Sequence, residues 1–527
     1  MAGRLAIDFG TSNTRAALWD DGAGRAVPLV IPDVSDRVRY RAGNEEVEVS
    51  HVPSVIHYDG RQVWVGRQVR ENSRLDAPGT FRWMKRYISN RLDLPRRVGD
   101  KQIGFAQAGA DFLSRVLEYA SAAVGLVDEE VAFTVPVEAY EHYQDWLTTV
   151  CEAAGIRRYR LLDEASAAAL GYGVHIQAND VYMVFDFGGG TLDVSIVRIE
   201  GAKAGGKRCR VLGKGGADIG GTVIDQWLFE DLLRRNHKEP EDVRHLSGLL
   251  LLEAERAKEE LTTGEQAGIT VADPNTGAAL SVRYTRTSFE ELLEERGLFA
   301  AVNGALDHAE AEARERGIER EHIKAVLLVG GTSLIPSVRR FVRARYSGKQ
   351  VEYHRPLDAV VLGGAAFVGG VDFYDHIQHD YALRHYDRQK ADYGYTVIVP
   401  AGTPYPTSKS IRELTVKASH DEQEFLGLDI YEVGRKPGRA AGAALDLVFD
   451  PSGAARFQSR EDPEAASHFW VNEKCPCFIQ AQPRAAKGEK RFAAKFTIDG
   501  NKRLCVTIHD NRTGKVIMRD HPVVKLR

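Results

Sequence analysis

No apolar run in this chain approaches the ~20 residues that a membrane-spanning helix needs. The opening MAGRLAIDFG has no basic stretch followed by an apolar core, and Asp8 interrupts it early, so it does not read as a secretory leader. Cysteine is scarce and odd in number, 5 in 527 residues, which points to reduced thiols and a cytoplasmic setting rather than a disulfide framework. Cys475 and Cys477 form a Cys-Pro-Cys pair with Cys505 nearby, but the spacing is not a common zinc pattern, and buried or surface thiols are the better reading. Neither sign of charge is in excess: the formal net charge of −4 gives no hint of a nucleic-acid partner. The signature GxxxxGK[ST] is missing, which argues against a P-loop nucleotide hydrolase. With 43% hydrophobic residues the chain can fill more than one core, and ordinary domain sizes suggest roughly three or four units.

What is present is a repeat. LAIDFGTSNTRAAL begins at Leu5, and MVFDFGGGTLDVSI begins at Met183. Each is an apolar run, then Asp-Phe-Gly, then small and hydroxyl residues, then another apolar run, which predicts strand, tight turn and strand, used twice. A turn of Gly, Ser and Thr gathers backbone N–H groups with no bulky side chain in the way, a concavity suited to anions such as phosphate. One carboxylate precedes each turn, Asp8 and Asp186, placed to meet a phosphate-bound cation. A single glycine-rich hairpin is weak evidence, whereas two matched ones can clamp a nucleotide's phosphates from both sides. The first turn enters a strand rather than a helix, which argues against a Rossmann dehydrogenase.

Residues 1–370 alternate strand-like and helix-like text, an α/β pattern. VAFTVP (131–136) and YRLLD (159–163) read as strands, and Glu164 opens the helix EASAAALGYG. Helical text covers 223–261, a hairpin 269–284, and one long helix 288–316; IKAVLLVGG is a strand entering a glycine turn, PSVRRFVRARY a helix, and 357–370 a closing Ala/Gly-rich helix. Residues 371–391 have no clear period and read as an atypical linker and first strand region. From 392 to 527, strand-like runs such as YGYTVIVP, FLGLDIYEV, KRFAAKFTI and RLCVTIHD alternate with turn residues and predict an all-β module.

Five stretches in order, IDFGTSNTRAAL, RWMKRYI, FTVPVEAY…LLDEASAAALGYG, FDFGGGTLDVSIV and LLVGGTSLIPSV, make the first 370 residues resemble the DnaK-type heat-shock chaperone family. VIVPAGTPYPTSKS and FTIDGNKRLCVTIHDNRTGK extend the resemblance into the β half. It implies an α/β actin-like ATPase with a two-lobed ribonuclease-H-like fold, then an all-β sandwich for substrate, with ATP/ADP and Mg²⁺ as cofactors. By position, Asp8 and Asp186 orient the metal's hydration shell; Gly10, Thr11, Ser12 and Asn13 line one phosphate turn and Gly188, Gly189, Gly190 and Thr191 the other. Lys85 meets the terminal phosphate, Glu164 and Asp193 lie near the metal and attacking water, and Thr191 joins them. Glu255 and Lys258 contact the ribose, and Gly330, Gly331 and Thr332 admit the adenosine. Without the resemblance, Lys85 reads as a surface charge, Glu164 as a helix-start acid and the Glu255/Lys258 pair as an ordinary i, i+3 ion pair.

Several positions depart from the family pattern. Leu334 and Glu259 stand where relatives carry adenine-stacking arginines, so weaker nucleotide affinity or an altered base preference is expected. Ala165 follows Glu164 where proline is usual. Pro136 is kept, but the relay arginine eight residues on is Gln144. DHIQHDYALRH replaces the leucine-rich linker, which predicts altered coupling between the halves. The stretch between Lys85 and Val131 is short, a sign of a trimmed peripheral subdomain, and no text matches the family's helical lid. YDRQKADY and SHDEQEFLG are the expected rim loops of a peptide groove.

The leading expectation is a lidless chaperone-like ATPase that binds unfolded or extended polypeptide, with co-chaperones as further partners and neither nucleic acid nor membrane. The alternative is a nucleotide-dependent module docking one specific protein partner in signalling. A sugar or metabolite kinase and a filament-forming actin relative share the clamp but leave the β half unexplained.

Overall fold

In the computed structural model, residues 4–526 are described except 43–44, 61, 93, 126–129, 137–140, 157, 174–178, 202–206, 370–372, 375–376, 378, 388–391, 404, 406, 408, 434–444, 450–454, 460–467, 473–476 and 500–502. The chain divides into two units, Met1–Phe373 with Pro437–Glu461, and Tyr374–Lys436 with Asp462–Arg527.

The first unit contains two sheets with one plan. In one, Arg158–Asp163, Glu130–Val135 and Arg4–Phe9 run parallel, and Asn13–Asp20 and then Glu45–Pro53 follow antiparallel. In the other, Gln350–Glu352, Ile323–Val329 and Val181–Phe187 run parallel, and Leu192–Gly201 and Lys207–Ala217 follow antiparallel. The repeated sequence is thus the central hairpin of each sheet, and the parallel neighbours make both central strands near-continuous apolar runs, buried on both faces.

Two helices pack together beneath the hairpins. Glu164–Gly171 starts from Asp163, whose side chain accepts the Ser166 N–H at 2.7 Å. Ala359–Val368 lies against it, and the approach is so close that only glycine fits: a Cβ on Gly171 would sit 1.7 Å from the Ala359 carbonyl oxygen, and one on Gly363 1.8 Å from that of Ala167. This contact sets where the helix that begins at Glu164 points.

The text over 223–261 forms two α-helices, Gly221–Arg235 and Ser247–Thr263, instead of one segment; the chain turns at His237, with φ of 52°, before a 3₁₀ turn opened by Pro240. The helix expected over 288–316 is likewise two, Arg286–Glu295 and Leu298–Glu315, broken by Gly297 in the left-handed region at φ 77°. Residues Gln266–Ala272 and Ala279–Thr285 form the expected hairpin.

In the second unit, Asp392–Val399, Asp380–Asp387, Ile430–Val433 and His468–Trp470 form one sheet and Arg412–Lys417, Lys490–Ile498, Arg503–Asp510 and Val516–Lys525 another. Gln423–Leu428 pairs with Cys477–Ala485. The segment without period therefore contains a strand, Asp380–Asp387, and FLGLDIYEV is two strands that part at Asp429. Leu426, Ile430, Ile479, Phe492, Phe496, Val506 and Ile508 share the core. Cys505 is a buried free thiol and Cys477 is buried; Cys475 lies outside the described residues.

Two glycines separate packing from propensity. Gly363→Ala should destabilise the protein by about 1–3 kcal/mol through overpacking, whereas Gly304→Ala, in a helix with nothing within 4 Å of the new Cβ, should stabilise it by up to about 1 kcal/mol. Urea denaturation of both variants checks the pair.

Candidate nucleotide and metal site

The two hairpins bring their turns face to face. A Cβ on Gly189 would lie 2.5 Å from Ser12 Oγ, and one on Gly190 2.8 Å from Thr11 Oγ1. Gly10 is equally tied, because a Cβ there would meet the Asn13 carbonyl oxygen at 2.2 Å. Ser54 braces the first turn: its Oγ donates to the Gly10 carbonyl at 2.8 Å and its N–H to that of Ser12 at 2.8 Å. The second turn is held by the Gly221 and Thr222 N–H groups, which donate to the Gly188 and Gly189 carbonyls at 3.0 and 2.9 Å, and by Thr332 Oγ1, which donates to the Gly188 carbonyl at 2.8 Å. Gly330, at φ 83°, lets its turn approach the Phe187 carbonyl, and Gly331 continues that turn.

Four carboxylates gather beside these turns. Asp8 ends the first central strand and accepts from Thr134 Oγ1 at 2.8 Å. Asp186 ends the second, opposite Asp193, which accepts from Thr191 Oγ1 at 2.6 Å. Glu164 receives the Lys85 ammonium at 2.7 Å. Lys85 is buried, so the surface-charge reading fails. Burial pushes the Asp186 carboxyl well above the usual range, and Glu164, Asp193 and Asp8 push the same way against the pull of Lys85. Burial also raises Glu164, with Lys85 opposing and Asp8 and Asp193 reinforcing. For Lys85, burial disfavours the charge, but Glu164, Tyr143 and Asp8 outweigh it and hold the ammonium protonated.

This donor set fits a hydrated cation. Among the described residues no three His, Cys, Asp or Glu side chains are spaced to hold a bare metal ion. Mg²⁺ dehydrates reluctantly and is commonly bound through its waters and substrate phosphates, and a cation among these acids would relieve their mutual repulsion. The glycine turns, in which a Cβ on Gly10, Gly189 or Gly190 would collide, fit phosphate oxygens approaching the backbone.

Glu255 and Lys258 share a helix face but do not pair with each other. Glu255 is held by Arg82, while Lys258 lies 2.7 Å from Asp225 and donates to the Gly221 carbonyl at 3.1 Å. Burial raises the Asp225 carboxyl to about 7, opposed by Lys258. Leu334, in place of a stacking arginine, packs with Tyr40, Val49 and Leu357. The Gln144 side chain lies outside the described residues.

Arg15, Arg82, Thr134, Tyr143 and Asp225 are part of the site but were not singled out in the sequence. One signal was available for Arg15. Aligning the two hairpins puts it where Asp193 stands in the second copy, since each is seven residues past its Asp and directly across the hairpin from it. Its guanidinium is buried, which lowers its pKa against the pull of Asp8, Asp358, Tyr40 and Asp186, and its Nε has no hydrogen-bond partner.

Asp186→Asn tests the electrostatic tension. A carboxyl raised in the folded state costs stability as pH climbs from its unfolded value, near 4, through its folded one. The ligand-free variant should therefore exceed wild type by about 1 kcal/mol at pH 8, and the gain should vanish near pH 4, as read from urea denaturation at both pH values.

The family model described as Hsp70 protein matches residues 94–385. The chain is 28% identical to the chaperone protein DnaK of Thermus thermophilus, over 98% of this chain and 80% of that one. It is 28% identical to the DnaK of Deinococcus proteolyticus, over 70% of this chain, and 27% identical to a chaperone protein HscA homolog of Shewanella piezotolerans, over 69%. It spans 59% and 57% of the lengths of these last two relatives. With twin hairpins, paired sheets and a following β-sandwich, the chain belongs to the Hsp70 family, ATP-hydrolysing chaperones that combine an actin-like ATPase with a β-sandwich and work with Mg²⁺ and ATP or ADP.

Proposed function

We propose that this chain hydrolyses ATP to ADP and phosphate and binds extended or unfolded polypeptide segments through its C-terminal sandwich. The observation that carries the catalytic half is the buried Lys85–Glu164 pair beside two facing glycine turns. In this reading residues 10–13 and 188–191 cradle the phosphates through backbone N–H groups. Asp8 and Asp186 hold the metal's water shell, and Mg²⁺ when bound offsets phosphate charge. Lys85 offers a preorganised cation to the terminal phosphate. Glu164, Thr191 and Asp193 orient the attacking water, Glu255 and Lys258 meet the ribose, and Gly330, Gly331 and Thr332 leave room for the nucleoside. A neutral leucine at 334 favours weaker base binding than a stacking guanidinium gives.

For the polypeptide half, Asp392–Val399 ends its sheet among the described strands, and it exposes Tyr393, Tyr395 and Val397 at alternate positions. An edge strand with apolar side chains on one face suits an extended segment added by strand pairing. Of the rim loops, residues 388–391 lie outside the described residues, and 419–422 form a turn before Gln423–Leu428. Docking of one folded partner, with co-chaperones as further partners, is the alternative use of this unit, motivated by Gln144 and the replaced linker.

Turnover of wild type and Lys85→Ala, each with and without an extended apolar peptide, tests both halves. Lys85→Ala should lose at least about a hundredfold in kcat, and peptide should accelerate wild type. Undiminished hydrolysis by Lys85→Ala overturns the role of the lysine; capture of a folded protein with no peptide effect selects the alternative.

A further inference from the structure

One buried polar group in the hydrolytic site has nothing to bond. Tyr143 belongs to the helix Glu141–Ala153 and is 1% exposed, and its hydroxyl has no hydrogen-bond partner. A buried hydroxyl left unpaired in a native structure marks a group whose partner is absent. The ring is firmly placed. It lies 5.5 Å from the Trp146 ring, which in turn lies 5.7 Å from Phe9, the neighbour of Asp8. The Trp146 indole N–H donates to the Ala106 carbonyl at 2.9 Å. His142, the residue before, contacts the Ile88 and Ser89 carbonyls at 3.0 and 2.9 Å and so ties this helix to the one that carries Lys85. The phenol is close enough to Lys85, Glu164 and Asp8 to feel all three charges.

We propose that Tyr143 is a positioning residue of this site, whose hydroxyl takes over the Glu164 carboxylate when Lys85 turns to a nucleotide's terminal phosphate. In this structure Lys85 donates to Glu164 Oε1, and the Tyr143 hydroxyl has no hydrogen-bond partner. An ammonium that swings to phosphate leaves Glu164 as a buried charge short of a donor. Tyr143 is an unused buried donor on the helix that His142 ties to the one carrying Lys85, and a hydrogen bond from it would keep Glu164 ionised and aimed. This inference rests on the hydrolytic role given above to Lys85 and Glu164.

Tyr143→Phe keeps the ring and its packing and removes only the hydroxyl. The ligand-free variant should melt at or above the wild-type temperature, because an unpaired buried group is gone. Its kcat should fall about tenfold with KM for ATP unchanged, and the thermal shift on adding Mg·ATP should shrink. A variant with wild-type kcat and wild-type thermal shift overturns the proposal, as does one whose only change is a lower ligand-free melting temperature, the mark of a packing role. Lys85→Ala run alongside separates the two ideas: if it is inactive while Tyr143→Phe equals wild type, only the tyrosine assignment falls. If wild type itself does not hydrolyse ATP, the hydrolytic reading fails, and the thermal shift alone decides on Tyr143, a smaller shift supporting it and an equal one overturning it.

Discussion

Like charges held together out of water are the constraint on which this site depends. Asp8, Glu164, Asp186 and Asp193 come from three different segments of one unit; Asp8 and Asp193 disfavour the ionised forms of both Asp186 and Glu164, and Glu164 disfavours that of Asp186. One ammonium, that of Lys85, is hydrogen-bonded into the group through Glu164. Ordinary folding would not choose such an arrangement, since burial and mutual repulsion both oppose it. It persists because rigid elements impose it: two β-hairpins fix Asp8, Asp186 and Asp193, and a helix locked by glycine contacts fixes Glu164. A bound cation and phosphate turn the same tension into binding energy.

The duplicated hairpin explains both the symmetry of the clamp and its division of labour. Each copy supplies a strand-end carboxylate and a glycine turn. Seven residues past that carboxylate the copies part, Arg15 in one and Asp193 in the other. Thr191 has no equal in the first turn, and Ser54 braces only that first turn. One turn is therefore buttressed from its own sheet, the other by the Gly221 and Thr332 segments. The glycine turn is common to the copies, and the groups around it are not.

The second unit solves a different problem, that of building a small core of its own. Its apolar strands bury phenylalanines and branched side chains, and it also encloses Arg491, fully buried, against Asp510 at 2.7 Å and the Gln482 carbonyl at 3.1 Å. A buried pair of this kind adds little net stability but makes mispairing of strands costly, because either partner alone would be an uncompensated charge. On the outer face Arg384 lies over the rings of Tyr393, Tyr431 and Trp470 and pairs with Asp429 at 2.8 Å. That contact links the strand of Arg384 to three others, two of which lie about 45 and 85 residues further along the chain.

The twin DFG turns, the strands around them and the helix opened at Glu164 were legible because their causes are local: apolar runs, glycine at tight turns, a cap at Asp163. Helix ends at His237 and Gly297 were missed although Pro240 and Gly297 stood as signals for them, because helical composition resumes soon after each break. Within the region 371–391, read as a linker with a first strand, the bounds Asp380–Asp387 were not legible, because its aromatic and charged residues carry no alternation and its pairing is with strands on either side of it in space. The sequence alone determined that two glycine turns exist, each just after an acid. Tertiary structure decided what surrounds them: that Lys85 is buried on Glu164, that Glu255 turns to Arg82 and Lys258 to Asp225, and that Tyr143 stands unpaired beside them. Those facts depend on distances between segments tens to hundreds of residues apart, which closing the two sheets and packing the Gly171 and Gly363 helices establish and which no local pattern encodes.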